Sequence, residues 1–328
     1  MADDRLLNHN LAVVGYGLAL WDALAEQTGV ARAQVRSWRR YAGGAGLNVA
    51  CNLGKLGIAN GLIAAVGQDQ AGKELLQVLQ SHRVCTDYIQ TLPYPTRIVE
   101  VTRTEDGERE FAGFYPSDSQ TFADAYITFI EPQLIPQYLY IEAVMLAFPI
   151  ARETCNQLVN WAGNQGVKIL VDVNWRPVFW ADEELGKVFT LELLRKGHGV
   201  KLTAAEAHWL LGREDLDFIH RQCPNLTHIF LTRGAQGCDY QVGDHRGYCP
   251  AWPIPAVDTT GAGDAFIAGW LYQLVTQGEQ LMADAQRLQP AIRWASAVAA
   301  LAITAPGAIT HAPTVAAVQA FLNAHRFG

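Results

Sequence analysis

The sequence predicts an α/β protein: one continuous core built on a mostly parallel sheet with crossover helices, and a small separate sheet of exposed strands over a cleft. Three observations carry this. From Tyr138 onward, short apolar runs alternate with helical periodicity, the pattern of strands joined by crossover helices. Between Leu92 and Ser119 the chain is instead rich in β-formers and charge, with period-two alternation. No internal repeat, linker or low-complexity tract divides the 328 residues, a length ample for one large core.

In chain order, Leu11 to Gly15 reads as a short buried strand. The Gly15-Tyr16-Gly17 that follows lacks the third glycine of a dinucleotide fingerprint, since Leu20 stands there and no helix opens cleanly. Asp22, just after that strand, reads as a turn or cap residue. Gly43 and Gly44 form a flexible turn, after which Val49, Leu53 and Leu56 make a helical stripe with Asn48 in its first turn. Gly61 to Gly72 reads as strand, turn, helix, with Gln68 and Asp69 at the turn. Arg97 to Arg103 alternates as a strand, Glu105-Asp106-Gly107 signals a hairpin, and Glu108 to Tyr115 returns.

In the second half, Tyr138 to Ile141 and Val144 to Phe148 read as strands, Arg152 to Gln165 as a helix and Val167 to Asp172 as a buried strand. Asn174 and Arg176 follow that strand, at the end where open α/β sheets place ligands; Pro177 also suits a plain loop. Lys201 to Glu206 follows another strand, with Glu206 opening a helix. Ile229 to Gly237 gives a buried strand and the turn Thr232-Arg233-Gly234, and Cys238 to Val242 with Arg246 to Cys249 forms a hairpin. Ala291 to Ala305 is a small-residue helix suited to tight packing, and Thr314 to His325 an amphipathic one.

The stretch with the most chemistry is Ala256 to Leu274. Asp258-Thr259-Thr260 leads into the turn Gly261-Ala262-Gly263 and a helix whose Phe266, Ile267, Trp270, Leu271 and Leu274 share a face. Main-chain amides at a helix start favour an anion. Asp264 stands in the same first turn. An acid beside a phosphate cradle is unhelpful for mere binding, because the charges repel, but makes sense if it takes a proton from a hydroxyl that attacks the phosphate. Taken alone, the run also admits ordinary dipole compensation at a helix start.

The run DTTGAGDAF and, far from it, GGAGLNVACNLGKLG together resemble the two signatures of the ribokinase-like (PfkB) carbohydrate kinases. Within that family TRIVEVTRTEDGEREFAGFYPSDS and DVNWRPVFW look most like fructokinases. The resemblance covers nearly the whole chain and implies a three-layer ribokinase-like fold, a single domain over 1–328 with β-lid strands within 16–41 and 90–116. It implies ATP-dependent phosphorylation of a sugar primary hydroxyl, fructose first, with another sugar, sugar acid or nucleoside as alternatives. Asp264 is then the base and Gly261, Ala262 and Gly263 the anion hole. Asp22, Gly43, Gly44, Asn48, Arg97, Asn174 and Arg176 are candidates for sugar or phosphate contacts. Thr232, Arg233, Gly234, Gly237, Thr260, Gly261 and Gly263 lie along the nucleotide. Glu206 is a candidate for Mg²⁺ through water and Asp258 for K⁺. Gln68 and Thr203 depart from the family pattern, which keeps a non-catalytic member of the same fold open; Thr203 suits the fructokinase subgroup. A homodimer through the lid is implied as a candidate assembly.

Composition excludes other classes. A formal net charge of -7 gives no general affinity for nucleic acid or anionic membranes. Six scattered cysteines without C-x-x-C read as reduced thiols, and nine histidines without a paired spacing or Cys/His cluster give no support to zinc. The polar opening decapeptide is not a signal peptide and no apolar run reaches membrane-spanning length, so the expectation is a soluble cytoplasmic protein.

Overall fold

The computed structural model describes residues 11–105, 109–119 and 121–325. Strand β1 (Val13–Tyr16) starts the main sheet, and the chain then leaves it for a second sheet as β2 (Leu20–Ala25) and β3 (Trp38–Gly43). Helix α1 (Ala45–Lys55) brings it back to β4 (Asn60–Gly67). Helix α2 (Gln70–Ser81) precedes β5 (Val84–Cys85) and β6 (Ile89–Leu92), both parallel to β4. The second sheet is completed by β7 (Ile98–Arg103) and β8 (Arg109–Tyr115). Alternation follows: β9 (Tyr138–Glu142), α3 (Pro149–Gln165), β10 (Lys168–Asp172), α4 (Glu183–Lys196), β11 (Gly199–Thr203), α5 (Ala204–Leu211), α6 (Leu216–Gln222) and β12 (His228–Thr232). The hairpin β13 (Cys238–Val242) and β14 (His245–Cys249) leads to α7 (Ala262–Gln277), α8 (Ala285–Ala302) and α9 (Val315–Ala324).

The main sheet runs β14-β13-β12-β11-β10-β9-β1-β4-β5, parallel from β12 to β5 and antiparallel at the β13–β14 edge. Successive residues of a strand point to opposite faces, and the two faces are covered by different helices. Val14, Leu139, Ile141, Val171, Val200 and Leu231 pack in one core with side chains of α3 to α6. Val13, Tyr138, Tyr140, Leu170 and Phe230 pack in another with α1, α7 and α8. These are the three layers of a ribokinase-like α/β fold, and they explain why the strands are apolar on both sides.

The smaller sheet, ordered β3-β2-β7-β8, pairs β2 with β7 in parallel between two antiparallel pairs. Arg32 ties its strands together, donating to Glu100 Oε2 at 2.6 Å and to the Phe114 carbonyl at 2.9 Å. The hairpin turn expected at Glu105–Gly107 falls mainly on residues outside those described.

Two sequence expectations are corrected here. Val144 to Phe148 is not a strand; Ala143–Ala147 forms a short 3-10 turn that runs into α3. The chain has just left β9 at the sheet's carboxyl edge, where no further partner is available, and its apolar residues serve the core as a turn instead. Asp22 does not end a strand but sits within β2, in the second sheet.

Candidate active site

The site is assembled at the carboxyl ends of the parallel strands, where chain direction changes and main-chain groups are free to meet a ligand. Glu142, Asp172 and Lys201 are register neighbours on β9, β10 and β11. All three are buried. Lys201 Nζ donates to Asp172 Oδ1 at 2.9 Å. Burial pulls the ammonium of Lys201 down, but the carboxylates of Asp172, Glu206 and Asp264 outweigh it and hold it above the usual lysine range.

Glu142 is the tie-point. Its Oε2 accepts the N–H of Leu18 at 2.8 Å and of Gly46 at 3.1 Å, while Oε1 accepts Asn174 Nδ2 at 2.7 Å. One carboxylate therefore fixes the loop after β1, the start of α1 and the loop after β10. Asn174 has φ 37, a left-handed conformation that asparagine tolerates better than most residues. Burial pushes the Glu142 carboxyl up to about 7, with Asp264 and Asp172 adding and the Leu18 N–H and Asn174 opposing.

Asp264 lies in the first turn of α7, whose N-cap Gly261 has φ 78. A Cβ at Gly261 would stand 2.3 Å from that of Ala308, so only glycine fits both the angle and the space. The Ala262 N–H closes the turn on Thr259 O at 3.2 Å, so that amide is shared with the loop. Gly263 follows within the first helical turn, where the helix itself offers no carbonyl to its N–H. Helix α1 meets α7 here: Asn48 Nδ2 donates to Asp264 Oδ2 at 2.8 Å, joining residues 216 apart in sequence.

The second sheet closes over this floor. Gly43 lies against Asp22, such that a Cβ on Gly43 would fall 2.2 Å from Asp22 Oδ2. Burial raises the Asp22 carboxyl to about 6; Arg109 and Arg176 oppose the shift, and Asp258 and Asp264 reinforce it. Asp22, Gly43, Gly44, Asn48 and Asp264 thus share one region, and the exposed Arg176 faces it electrostatically. Arg109, at the start of β8, bridges sheet to core: Nη2 donates to Asp258 Oδ2 at 2.7 Å and Nη1 to Thr260 Oγ1. A cavity of about 600 Å³ lies between the sheet and this loop, lined in part by Tyr41, Arg103, Arg109, Asp258 and Pro306.

Arg97 is not brought to the cleft. Its guanidinium makes two 2.7 Å bonds to Asp124 and lies among the rings of Phe114, Phe122, Phe148 and Phe179. With the side chain 5% exposed, it braces the second sheet against the core, and its place as a candidate phosphate contact is withdrawn. Arg233 is likewise turned to Glu214 at 2.5 Å and Asp239 at 2.9 Å, while Thr232 ends β12 beside Thr203. Gly234 (φ 56) and Gly237 (φ 93) shape the turn between them.

Glu206 closes a capping box, accepting Thr203 N–H at 2.7 Å on Oε2 and Trp175 N–H at 2.8 Å on Oε1. Each of its oxygens keeps a second lone pair. Among the described residues no three His, Cys, Asp or Glu side chains gather as a metal-binding group. Mg²⁺ delivered with a nucleotide needs only one or two carboxylates besides phosphate and water. Glu206, with a lone pair still free on each oxygen, fits that requirement. Asp258 fits a monovalent cation poorly in this arrangement. Its carboxylate accepts from Thr260 N–H (3.0 Å), Gly307 N–H (2.9 Å) and Arg109, so Arg109 already balances its charge.

Glu142, Lys201, Asp172 and Arg109 escaped the sequence reading as site residues. The available signal was a charge ending or interrupting an apolar strand, as in Tyr138–Glu142 and Gly199–Thr203.

A mainly parallel sheet with helices on both faces, a small sheet over its carboxyl edge, and an acid beside a glycine turn at a helix start define a ribokinase-like kinase architecture. A sequence model described as the pfkB family of carbohydrate kinases matches residues 8–315, and the chain belongs to that family. It is 31% identical over 332 residues to a protein of Arabidopsis thaliana named probable fructokinase-6, chloroplastic, covering 99% of this chain and 86% of the relative. It is similar in structure to a fructokinase with bound ATP from Xylella fastidiosa, with TM-score 0.85 and 24% identity over 96% of this chain and 99% of the other. An aminoimidazole riboside kinase from Salmonella enterica, solved with aminoimidazole riboside and an ATP analog, superposes with TM-score 0.78 and 26% identity over 94% of this chain and 99% of the other. Among the described residues no helix is long and apolar enough to cross a membrane, and all six cysteines are free thiols.

Proposed function

We propose that this carbohydrate kinase transfers the γ-phosphoryl group of ATP to a primary hydroxyl of a sugar, with fructose the preferred acceptor and Asp264 the base. The observation that carries the reading is the junction of two helix starts, where Asn48 holds the Asp264 carboxylate at 2.8 Å beside the Gly261–Gly263 turn. A carboxylate oriented by one amide keeps its other oxygen for a substrate hydroxyl.

In this reading Asp22, Gly43, Gly44, Asn48 and Asn174 hold the sugar hydroxyls, with Arg176 at the rim. The nucleotide lies across Thr232–Gly237 and Thr260–Gly263. The hydroxyl oxygen bonds to the γ-phosphorus as its proton passes to Asp264, and the bond to the ADP oxygen breaks with the electron pair leaving on ADP. Amides at the start of α7 meet the charge spread over the transferring oxygens. Glu206 would hold Mg²⁺ through water, and the ion, when bound, offsets phosphate charge. Asn48 and Glu142 keep the acid and the sugar side in register, and the second sheet excludes water when it closes.

Fructose comes first because the Arabidopsis relative is named a probable fructokinase and the lid and Asp172–Trp180 runs look like that subgroup. The riboside named for the Salmonella enzyme belongs on the same panel. Coupled ADP release over fructose, ribose, other ketoses, sugar acids and ribosides, with and without K⁺, tests the proposal. Asp264→Asn should lower kcat by about 10³-fold, within the range for removing a positioned base, while ATP binding by calorimetry is retained. A panel on which no acceptor raises ADP release, or an Asn variant with near-normal turnover, refutes the reading.

A further inference from the structure

Six carboxylates surround the cleft: Asp22, Glu142, Asp172, Glu206, Asp258 and Asp264, linked to one another by burial and mutual charge effects. A phosphoryl group entering such a field is repelled unless positive charge is fixed nearby. Two of the cations lie at the surface: Arg176 is exposed, and Arg109 is 38% exposed and committed to Asp258. Lys201 differs. Its side chain is 7% exposed, and it rises from the middle of β11 on the face that α7 covers. Its register neighbour Phe230 packs edge-on against Phe266 and Trp270 of α7. The ammonium ends under the glycine turn, so close that a Cβ on Gly263 would stand 2.8 Å from Nζ.

We infer that Lys201 supplies the fixed positive charge of phosphoryl transfer, acting from beneath through the Gly261–Gly263 turn. This rests on the kinase reading above. Lys201 is a positioning residue in this assignment: it sets the field at the amides and holds the turn, and the reacting atoms lie on the other side of it.

A purely structural role fits the surroundings less well. A buried ion pair costs desolvation and can commonly be replaced by uncharged residues of similar size without loss of stability. This one is also incompletely satisfied, since Asp172 Oδ2 is buried without a partner. Gly263, where a Cβ would crowd the ammonium, sits one residue before Asp264.

The test compares the double variant D172N/K201M with D172N alone. The double variant removes both charges and strands neither. It should keep the folded far- and near-ultraviolet circular dichroism of the parent and a sugar KM within a few fold, while kcat falls about 100-fold, as for loss of one oxyanion donor. D172N keeps the ammonium and should retain at least ten times the kcat of the double variant. Binding of ADP with aluminium fluoride and sugar, a mimic of the migrating group, separates field from packing. It should weaken in the double variant far more than binding of ADP alone, and be unchanged or tighter in D172N. A double variant with kcat within threefold of the parent overturns the inference, as does a D172N protein that binds the mimic tenfold more weakly. A parent protein without sugar-dependent ADP release sinks the kinase reading and this assignment with it; an active parent and an unimpaired double variant sink this assignment alone.

Discussion

Replacing Glu142 with Gln probes the tie-point of the candidate site, and its outcome has a sign set by the structure. Burial lifts the carboxyl from an ordinary 4.5 to about 7. A carboxyl whose folded pKa is raised binds more protons folded than unfolded between those values, so folding loses stability as pH rises through the window. That displacement corresponds to roughly 3 kcal/mol of differential interaction between the two protonation states. Between pH 5 and 8 the loss attributable to Glu142 is about 2–3 kcal/mol. Gln cannot ionise and removes this dependence. It still offers one acceptor to the Leu18 and Gly46 amides, and Asn174 can turn its carbonyl to the new NH₂ group. Urea unfolding of both proteins at pH 5 and pH 8 measures the effect as a difference of differences, in which titrating groups remote from Glu142 cancel. Relative to the parent, Glu142→Gln should gain about 2–3 kcal/mol on going from pH 5 to pH 8. An identical stability difference at both values refutes the reasoning, because it means the proton on Glu142 is not linked to folding.

Three further outcomes follow from the same geometry. Arg97→Met leaves Asp124 buried and unpaired and should cost roughly 3–5 kcal/mol in denaturant unfolding; the double change with Asp124→Asn should recover much of it, and failure to recover refutes the bracing role. In its proposed role Asp22, raised to about 6, accepts two sugar hydroxyls only when ionised, so kcat/KM for the sugar should fall as pH drops below about 6 while ATP affinity stays level. Arg109→Ala removes the link from the second sheet to Asp258 and Thr260. Stability should fall by about 1–3 kcal/mol, because Asp258, with its side chain 6% exposed, loses its cation and keeps only the Thr260 and Gly307 amides, and hydrogen exchange in β7 and β8 should rise; unchanged protection there argues that the sheet is held closed without it.

The alternation of apolar strands with helices was readable along the chain because a parallel sheet is buried on both faces and its strands are mostly apolar on both. The glycine turn with Asp264 was readable for a related reason. Close approach and positive φ demand particular residues at particular spacings, and those demands are local. Arg97 shows the limit. Its strand-like neighbours are consistent with either a cleft or an interior position, and only the packing of four phenylalanines from separate segments decides for the interior. Val144 to Phe148 is similar, since its composition suits a strand but the sheet offers no edge to pair with there.

What the sequence by itself determined is the class of fold, the glycine turn and the acid it presents, because these follow from neighbours within a few residues. Tertiary structure alone decided which charges meet: Asn48 with Asp264, Glu142 with Leu18, Gly46 and Asn174, Asp172 with Lys201, and Arg109 with Asp258. A buried charge in an apolar strand shows only that some partner must exist. The partner's identity depends on strand order and register, which bring together residues 29 to 216 positions apart and are fixed only when the whole sheet closes.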